Sequence, residues 1–300
     1  MPPHKTILVD LSYKGLIRAS GADVVPFLQG QLSTDIEKLT PGVSQLSSWN
    51  NAKGRVVATI RLFRRGEDID LALPASLKAA VLKRLSMYVL RSKVRLTDAG
   101  DESAALGLIG AGAQALLREA GIPVPTQVNE LSAVDAVRAL RMQGDPRYFV
   151  SGPAAELAAL KRRWETATAP GNEDDWTLQK ILAGEPTVYA ETSEHFVAQM
   201  LNLDQFGAID FKKGCYTGQE VIARAHYRGG VKRHMVRASC RDAAAIKPGD
   251  GILAPGSPVA EVVDAQRDGS GTWQMLLVIQ DDSREMSLVH APSGAAVSLV

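Results

Sequence analysis

The stretch Phe211-Lys212-Lys213-Gly214-Cys215-Tyr216-Thr217-Gly218-Gln219-Glu220-Val221-Ile222-Ala223-Arg224 is the densest gathering of chemistry-bearing side chains in the sequence. Thr217 and Glu220 stand three positions apart. That is the spacing of a capping box, and it predicts a helix beginning near Gly218 with Gln219 and Glu220 in its first turn. Glu220 and Arg224, four apart, face one another on such a helix. Cys215 then precedes a helix N-terminus, where unpaired N–H groups favour negative charge. Lys212 and Lys213 add positive charge beside it. Both effects stabilise a thiolate over a thiol. Gly214 leaves the backbone free to approach a ligand or to take a positive φ. The bland alternative is a cysteine that serves as a small buried hydrophobe.

Around this stretch runs a basic series, Lys212, Lys213, Arg224, Arg228, Lys232, Arg233 and Arg237. It reads either as a solvated face or as a patch for an anionic partner such as a polyglutamate tail, a phosphate or RNA. Cys215, His226, His234 and Cys240 lie close in sequence, but no pair has the usual short zinc spacing, so no metal ligand set is assigned. Two cysteines cannot supply a four-cysteine cluster site within one chain. No phosphate loop, dinucleotide fingerprint or Gly-x-Ser-x-Gly elbow is present.

Downstream of the motif the helical period fades. Val231–Ser239, Ile252–Leu253, Val259–Val263, Trp273–Ile279 and Ser287–His290 are short β-prone runs. They are separated by turn pairs such as Pro248-Gly249, Pro255-Gly256 and Asp268-Gly269. This predicts a small all-β barrel or sandwich over residues 230–300, with a boundary at Gly229-Gly230.

Upstream, strands and helices interleave. Thr6–Leu11 and Gly15–Ser20 read as strands that pair as a hairpin across a short turn. Ala22–Gln31 reads as a helix. Ser47–Trp49 and Val56–Phe63 flank the turn Asn50-Asn51-Ala52-Lys53-Gly54, and Ile69–Leu73 follows. Leu77, Val81, Leu85, Tyr88 and Val89 have helical spacing. Strands at Lys93–Thr97 and from Ala104, a helix at Ala111–Glu119, strands at Val134–Arg141 and Arg147–Val150 and a helix at Pro153–Trp164 complete the series. The regular βαβ rhythm is missing, so the class over residues 1–229 is α+β.

Composition agrees with a folded, soluble, cytoplasmic protein. The chain has 300 residues, of which 45% are hydrophobic and 22% charged, which excludes a largely disordered chain. Lys+Arg at 34 against Asp+Glu at 33 leaves a net charge of +1, so no global pull toward nucleic acid or anionic membrane exists. Cys215 and Cys240 are no disulfide framework and fit a reducing compartment. No apolar run approaches membrane-spanning length, and the start, Met1 to Asp10, carries no signal-like apolar block.

The segment Lys213 to Glu220, with Arg224 after it, closely resembles the hallmark of the YgfZ family. These are folate-binding proteins linked to iron–sulfur cluster assembly and repair, and relatives of the glycine-cleavage T-protein, an aminomethyltransferase. Phe27-Leu28-Gln29-Gly30-Gln31-Leu32-Ser33-Thr34-Asp35, Asn51-Ala52-Lys53-Gly54-Arg55, Arg61-Leu62-Phe63-Arg64, and Trp176 ahead of Ile181-Leu182-Ala183-Gly184-Glu185-Pro186 resemble further family segments in the same order. The likeness spans nearly the whole chain.

The resemblance implies a T-protein-like fold: α+β modules and a C-terminal barrel around a central channel that holds tetrahydrofolate. It implies Cys215 as the functional thiol. Trp176 matches an aromatic position near the folate, where an indole can stack on a flat pterin. Lys213, Gly214, Tyr216, Gly218, Gln219, Glu220 and Arg224 carry over as folate- or substrate-binding motif residues. The implied partners are a reduced folate and iron–sulfur proteins or their assembly machinery, including enzymes that modify tRNA.

Two departures bear on the activity. T-proteins carry a catalytic aspartate on the strand after the Gly-containing turn, whereas Gly54-Arg55-Val56-Val57-Ala58-Thr59-Ile60 has no carboxylate to serve as acid, base or electrostatic stabiliser. Relatives often have a glutamate where this sequence has Leu182, which implies either weak folate binding or a replacement carboxylate from Asp204, Asp210 or Glu191. The first reading is therefore an accessory factor acting through Cys215. A folate-dependent aminomethyltransferase or other one-carbon transferase is the second. A module that recruits RNA or other partners through the basic run after Gly218 is the third.

Overall fold

The structure, a computed structural model, describes residues 6–11 and 14–300. The reading of the first five residues and the turn expected before Gly15 lie outside them. In chain order the first elements are β1 (Ile7–Asp10), β2 (Lys14–Ser20), α1 (Val24–Gln29), β3 (Gln45–Asn50), β4 (Val56–Arg65), β5 (Asp68–Pro74), α2 (Ala75–Ser86), β6 (Arg95–Asp98) and β7 (Ser103–Ile109). Then come α3 (Ala113–Glu119), β8 (Leu131–Val134), β9 (Val137–Arg141), β10 (Arg147–Pro153), α4 (Ala154–Glu165), β11 (Ala169–Gly171), α5 (Glu173–Leu182) and α6 (Gln219–Tyr227). The last six are β12 (Arg233–Cys240), β13 (Gly251–Ala254), β14 (Ser257–Arg267), β15 (Trp273–Gln280), β16 (Leu288–His290) and β17 (Ala296–Leu299).

The chain forms two compact units and passes between them repeatedly. One takes the chain up to Leu28, then Ile36–Gln45 and Ile60–Gln179; the other takes Gln29–Asp35, Leu46–Thr59 and Lys180–Val300.

In the first unit, β11-β1-β7-β10-β9-β8 make a six-stranded sheet. Period-two alternation sorts its side chains. Leu106, Leu108, Tyr148 and Val150 point to the face covered by Leu116, Leu117, Leu157 and Trp164 of α3 and α4. Phe149, Leu140 and Ile109 point to the other face, where they meet Phe63, Ala72 and Trp176. A fully buried side chain of this size contributes roughly 1.5–3 kcal/mol. A second sheet holds β4, β5, β2 and β6 in that order, with β3 next to β4.

Three expectations are corrected here. β1 and β2 do not form a hairpin: β1 pairs with β7 and β11, and β2 pairs with β5 and β6. The single strand expected at Val134–Arg141 is a hairpin, β8 with β9, turning where Asp135 adopts φ 50°. The helix expected to run to Val89 ends at Ser86, leaving Tyr88 exposed; its apolar stripe is Leu77, Val81 and Leu85.

In the second unit, β12-β15-β14-β13-β16-β17 close into a barrel. Met275, Leu277 and Ile279, alternate residues of β15, point into its core together with Ile252, Val262 and Cys240. Closure leaves no strand edge unpaired. No helix among the described residues is long and apolar enough to cross a membrane.

Candidate functional site: the cysteine loop and its brace

The loop before α6 is shaped by two polar devices within the second unit. Asp210 turns the chain: its Oδ1 accepts the backbone N–H of Lys212 at 2.8 Å and of Lys213 at 3.1 Å. Its own N–H bonds the Ser33 carbonyl at 2.9 Å, and the Ser33 hydroxyl donates to the Ala208 carbonyl at 2.6 Å. Lys213 then folds inward. Its ammonium donates to the backbone carbonyls of Gln29, Leu32 and Thr34, each at 2.7 Å. All three ammonium protons are thereby satisfied, which makes burial of the charge tolerable. Lys213 therefore leaves the surface basic series expected from the sequence.

Tyr216 is buried beside this brace, with the Lys213 ammonium 5.0 Å from its ring centre. Burial, reinforced by the negative charge of Asp210, pushes its phenol up to about 12. Thr217 donates its N–H to the Gly30 carbonyl at 3.3 Å. Lys213 and Tyr216 thus anchor the loop, while Gly214 and Cys215 between them are exposed.

The helix begins where the sequence predicts, but the capping box does not form. Gly218 is the N-cap, at φ 82° and ψ 0°, and no side chain caps the helix. The left-handed conformation carries the chain into the first turn, and glycine adopts it without steric cost. Gln219 follows as the first helical residue. Glu220 and Arg224 pair at 2.9 Å, with both side chains largely exposed; such a pair adds little to stability. Phe211 and His226 stack across the loop and the helix end, centroids 3.7 Å apart and planes 13° from parallel. Sequence reasoning missed this clasp, whose partners stand fifteen positions apart without periodic relation.

Around α6, two buried amides have oxygens with no hydrogen-bond partner, Asn50 Oδ1 and Gln199 Oε1. The Asn50 Nδ2 is spent on the Ser48 hydroxyl at 3.1 Å, and the Gln199 Nε2 on the Ile222 carbonyl at 2.6 Å. Buried acceptors left unpaired are costly and mark places where a donor is wanted. The N–H-rich edge of a reduced pterin is such a donor, so the residues fit that class of molecule. Of the three carboxylates considered as replacements at the Leu182 position, Asp210 is engaged in turning the loop, and Asp204 and Glu191 are exposed. Thr59, on the strand segment that has no carboxylate, accepts the Val188 N–H through its hydroxyl at 3.2 Å.

Trp176 lies in the first unit and is only 1% exposed. Its ring lies against Gly107 and under the Arg147 guanidinium, 4.8 Å from the ring centre. The face expected to be open to a pterin is covered. No group of three or more metal-ligating side chains gathers among the described residues.

Residues 3–143 match the GCVT N-terminal domain. The glycine cleavage system aminomethyltransferase T from Bartonella henselae superposes with a TM-score of 0.81 over 99% of this chain and 85% of that one, at 18% identity. The class defined by the fold is thus that of the T-proteins: mixed sheets and helices with a closed six-stranded C-terminal barrel. Closer relatives are the tRNA-modifying protein YgfZ of Colwellia psychrerythraea, 32% identical over 76% of this chain and 70% of the relative, and that of Escherichia coli O157:H7, 32% identical over 75% and 69%. The chain belongs to the YgfZ family.

Proposed function

We propose that this protein is a tetrahydrofolate-binding accessory factor in the cytoplasm that supports iron–sulfur cluster assembly or repair through Cys215, and thereby enzymes that modify tRNA. One observation carries the reading: an exposed thiol on a loop whose neighbours on either side are anchored, Lys213 by three carbonyls and Tyr216 by burial. A sulfur held at the surface in a fixed loop serves as a nucleophile or as a ligand to a metal centre delivered by a partner, both through the thiolate. The names of the relatives, tRNA-modifying proteins, support the tRNA side of the reading.

Bound tetrahydrofolate would supply a one-carbon carrier. Asn50 and Gln199 would accept hydrogen bonds from its pterin. The stretch Val56–Ile60, with no carboxylate, lacks the acid or base that one-carbon transfer would need, which favours an accessory role over a transferase.

The test is complementation. In cells lacking the native protein, the wild-type gene should restore tRNA modification by iron–sulfur enzymes, and Cys215→Ala should not. Full rescue by the alanine variant removes the thiol from the account. Tetrahydrofolate binding is measured separately by calorimetry, and no heat with the wild-type protein removes the folate.

A further inference from the structure

Between Asp70 and Asp98 the chain has no carboxylate, yet it carries Lys78, Lys83, Arg84, Arg91, Lys93 and Arg95. A chain whose whole net charge is +1 thus concentrates positive charge along α2 and its passage into β6, all within the first unit. Lys78 is spent on Asp98 at 2.5 Å. Lys83, Arg91, Lys93 and Arg95 are exposed, and their side chains form no ion pair among the described residues. The Asp23 carboxylate comes close, but it accepts the backbone N–H of Lys93 at 2.7 Å. Ordinary roles cover part of this collar. Lys83 and Arg84, in the last turn of α2, complement the helix dipole. Arg95 lies on β6, the edge strand of its sheet, where a charge deters edge pairing. Arg91 and Lys93 have no such role.

Inside the collar stands an apolar tip. Met87 is 63% exposed, Tyr88 41% and Leu90 88%. After α2 ends, the N–H groups of Met87, Tyr88 and Val89 turn back onto the carbonyls of Arg84, Leu85 and Ser86. Leu90 then takes φ 43°, in the left-handed region where a side chain with a Cβ is strained. Being almost wholly in water, this leucine recovers nothing by packing. Glycine would relieve the strain, and a polar residue would relieve the exposure. The side chain costs the fold and points to a use outside it.

We propose that this tip seats on an anionic lipid surface. Met87 and Leu90 enter the upper acyl region, Tyr88 lies at the level of the headgroups, and Lys83, Arg91 and Lys93 meet the lipid phosphates. Apolar side chains with a basic rim are the chemistry of attachment in the plane of an interface. Tyrosine favours that boundary, and each cation near an anionic leaflet adds to the attraction. Nucleic acid is a poorer match. It would use the cations, but bases stack on aromatic rings and guanidinium planes, so Met87 and Leu90 would stay in water. An acidic protein would need a preformed pocket for a side chain that projects as far as Leu90 does, whereas a bilayer receives it without one. With so few inserted side chains the attachment is reversible.

The test is sedimentation of the full chain with vesicles of phosphatidylcholine and phosphatidylglycerol in equal parts, beside vesicles of phosphatidylcholine alone. The chain should bind the anionic vesicles, leave the neutral ones, and be released by added salt. Leu90→Gly relieves the backbone strain, so it stays folded, and should weaken binding about fivefold or more. Arg91→Gln combined with Lys93→Gln, both at exposed positions, should weaken it about tenfold or more. Circular dichroism confirms the fold of each variant. The proposal is overturned if the wild type stays in the supernatant with anionic vesicles. It is also overturned if Leu90→Gly binds as tightly as the wild type, which reduces the patch to charge alone, or if the double-glutamine variant does, which moves the contact to another basic surface. Tighter binding of polyuridylate than of anionic vesicles, lost in the double-glutamine variant, overturns it in favour of RNA. The tip belongs to the first unit and Cys215 to the second. Vesicle binding needs neither the thiol nor a folate, so either reading can fail without the other.

Discussion

A Cβ on Gly218 would stand 2.5 Å from the carbonyl oxygen of Asn51. The start of α6 therefore rests backbone on backbone against the Asn51–Gly54 turn, and Gly54 is held in return, since its own Cβ would meet Val221 at 2.8 Å. Gly218→Ala meets two penalties: the left-handed conformation, about 1–2 kcal/mol, and a contact with backbone that has no flexible end to yield. Chemical denaturation should show a loss of about 2 kcal/mol or more. Gly214→Ala, one residue before the cysteine, has open space around the added methyl and should stay within about 0.5 kcal/mol of wild type.

Lys213→Met should destabilise the protein by about 3 kcal/mol, because it strands three buried carbonyls that share one ammonium. Lys213→Arg should not restore the loss. An ammonium aims three donors from a single atom, whereas a guanidinium spreads its donors over a flat fork. Equal stability of the arginine variant and wild type in urea would show that the brace is charge without geometry.

The brace also marks the limit of what the sequence reveals. Lys213 reads locally as one member of a basic series, since its acceptors lie 179 to 184 positions earlier in the chain. The barrel was legible because its turn pairs and β-prone runs are local signals, and the start of α6 was legible for the same reason. Partner choice was not: Ile7 reads as strand, but nothing near it announces pairing with Ile109 and Ala169. The capping box failed because Gly218, with a positive φ open to it, competes with Thr217 for the N-cap position and wins. Cys215 was found through its motif, whereas Asn50 and Gln199 stand out only once burial and hydrogen bonding are known.

Tyr216 should betray its burial in an alkaline titration. An unperturbed tyrosine ionises near 10, and Tyr216 in the folded chain near 12. The folded protein keeps a proton there that the unfolded chain has released. The stability this group contributes is therefore complete below pH 10 and is lost as pH climbs through 12. Phenolate absorbance of the wild type should show one late step that Tyr216→Phe lacks. A late step that survives the substitution would assign it to another tyrosine.

Trp176 is a core residue in energetic terms, so its truncation is a poor probe of ligand binding. Trp176→Ala should cost about 3–5 kcal/mol, and any loss of tetrahydrofolate binding would be confounded with loosening of the sheet. Trp176→Phe keeps most of the packing and is the variant to use in calorimetry. Gly107→Ala reports on the same contact from the other side, since its Cβ would come 2.6 Å from the indole ring. It should lower the melting temperature without removing any side chain. An unchanged melting temperature would show that the indole is free to move.

The two cysteines should separate cleanly by reactivity. Cys215 is exposed and Cys240 lies in the barrel core. An aromatic disulfide reagent should titrate one thiol in the native protein and two in denaturant, with the second reacting only as fast as the barrel opens. Cys215→Ala should abolish the native reaction and change stability by no more than about 0.5 kcal/mol, because an exposed side chain gives up little packing. That combination makes the variant a clean instrument for complementation: a failure to rescue would then report on the sulfur and not on the fold. Native reaction of both thiols would mean that the barrel breathes on the assay's timescale, and a marked loss of stability would mean that Cys215 supports the loop by packing.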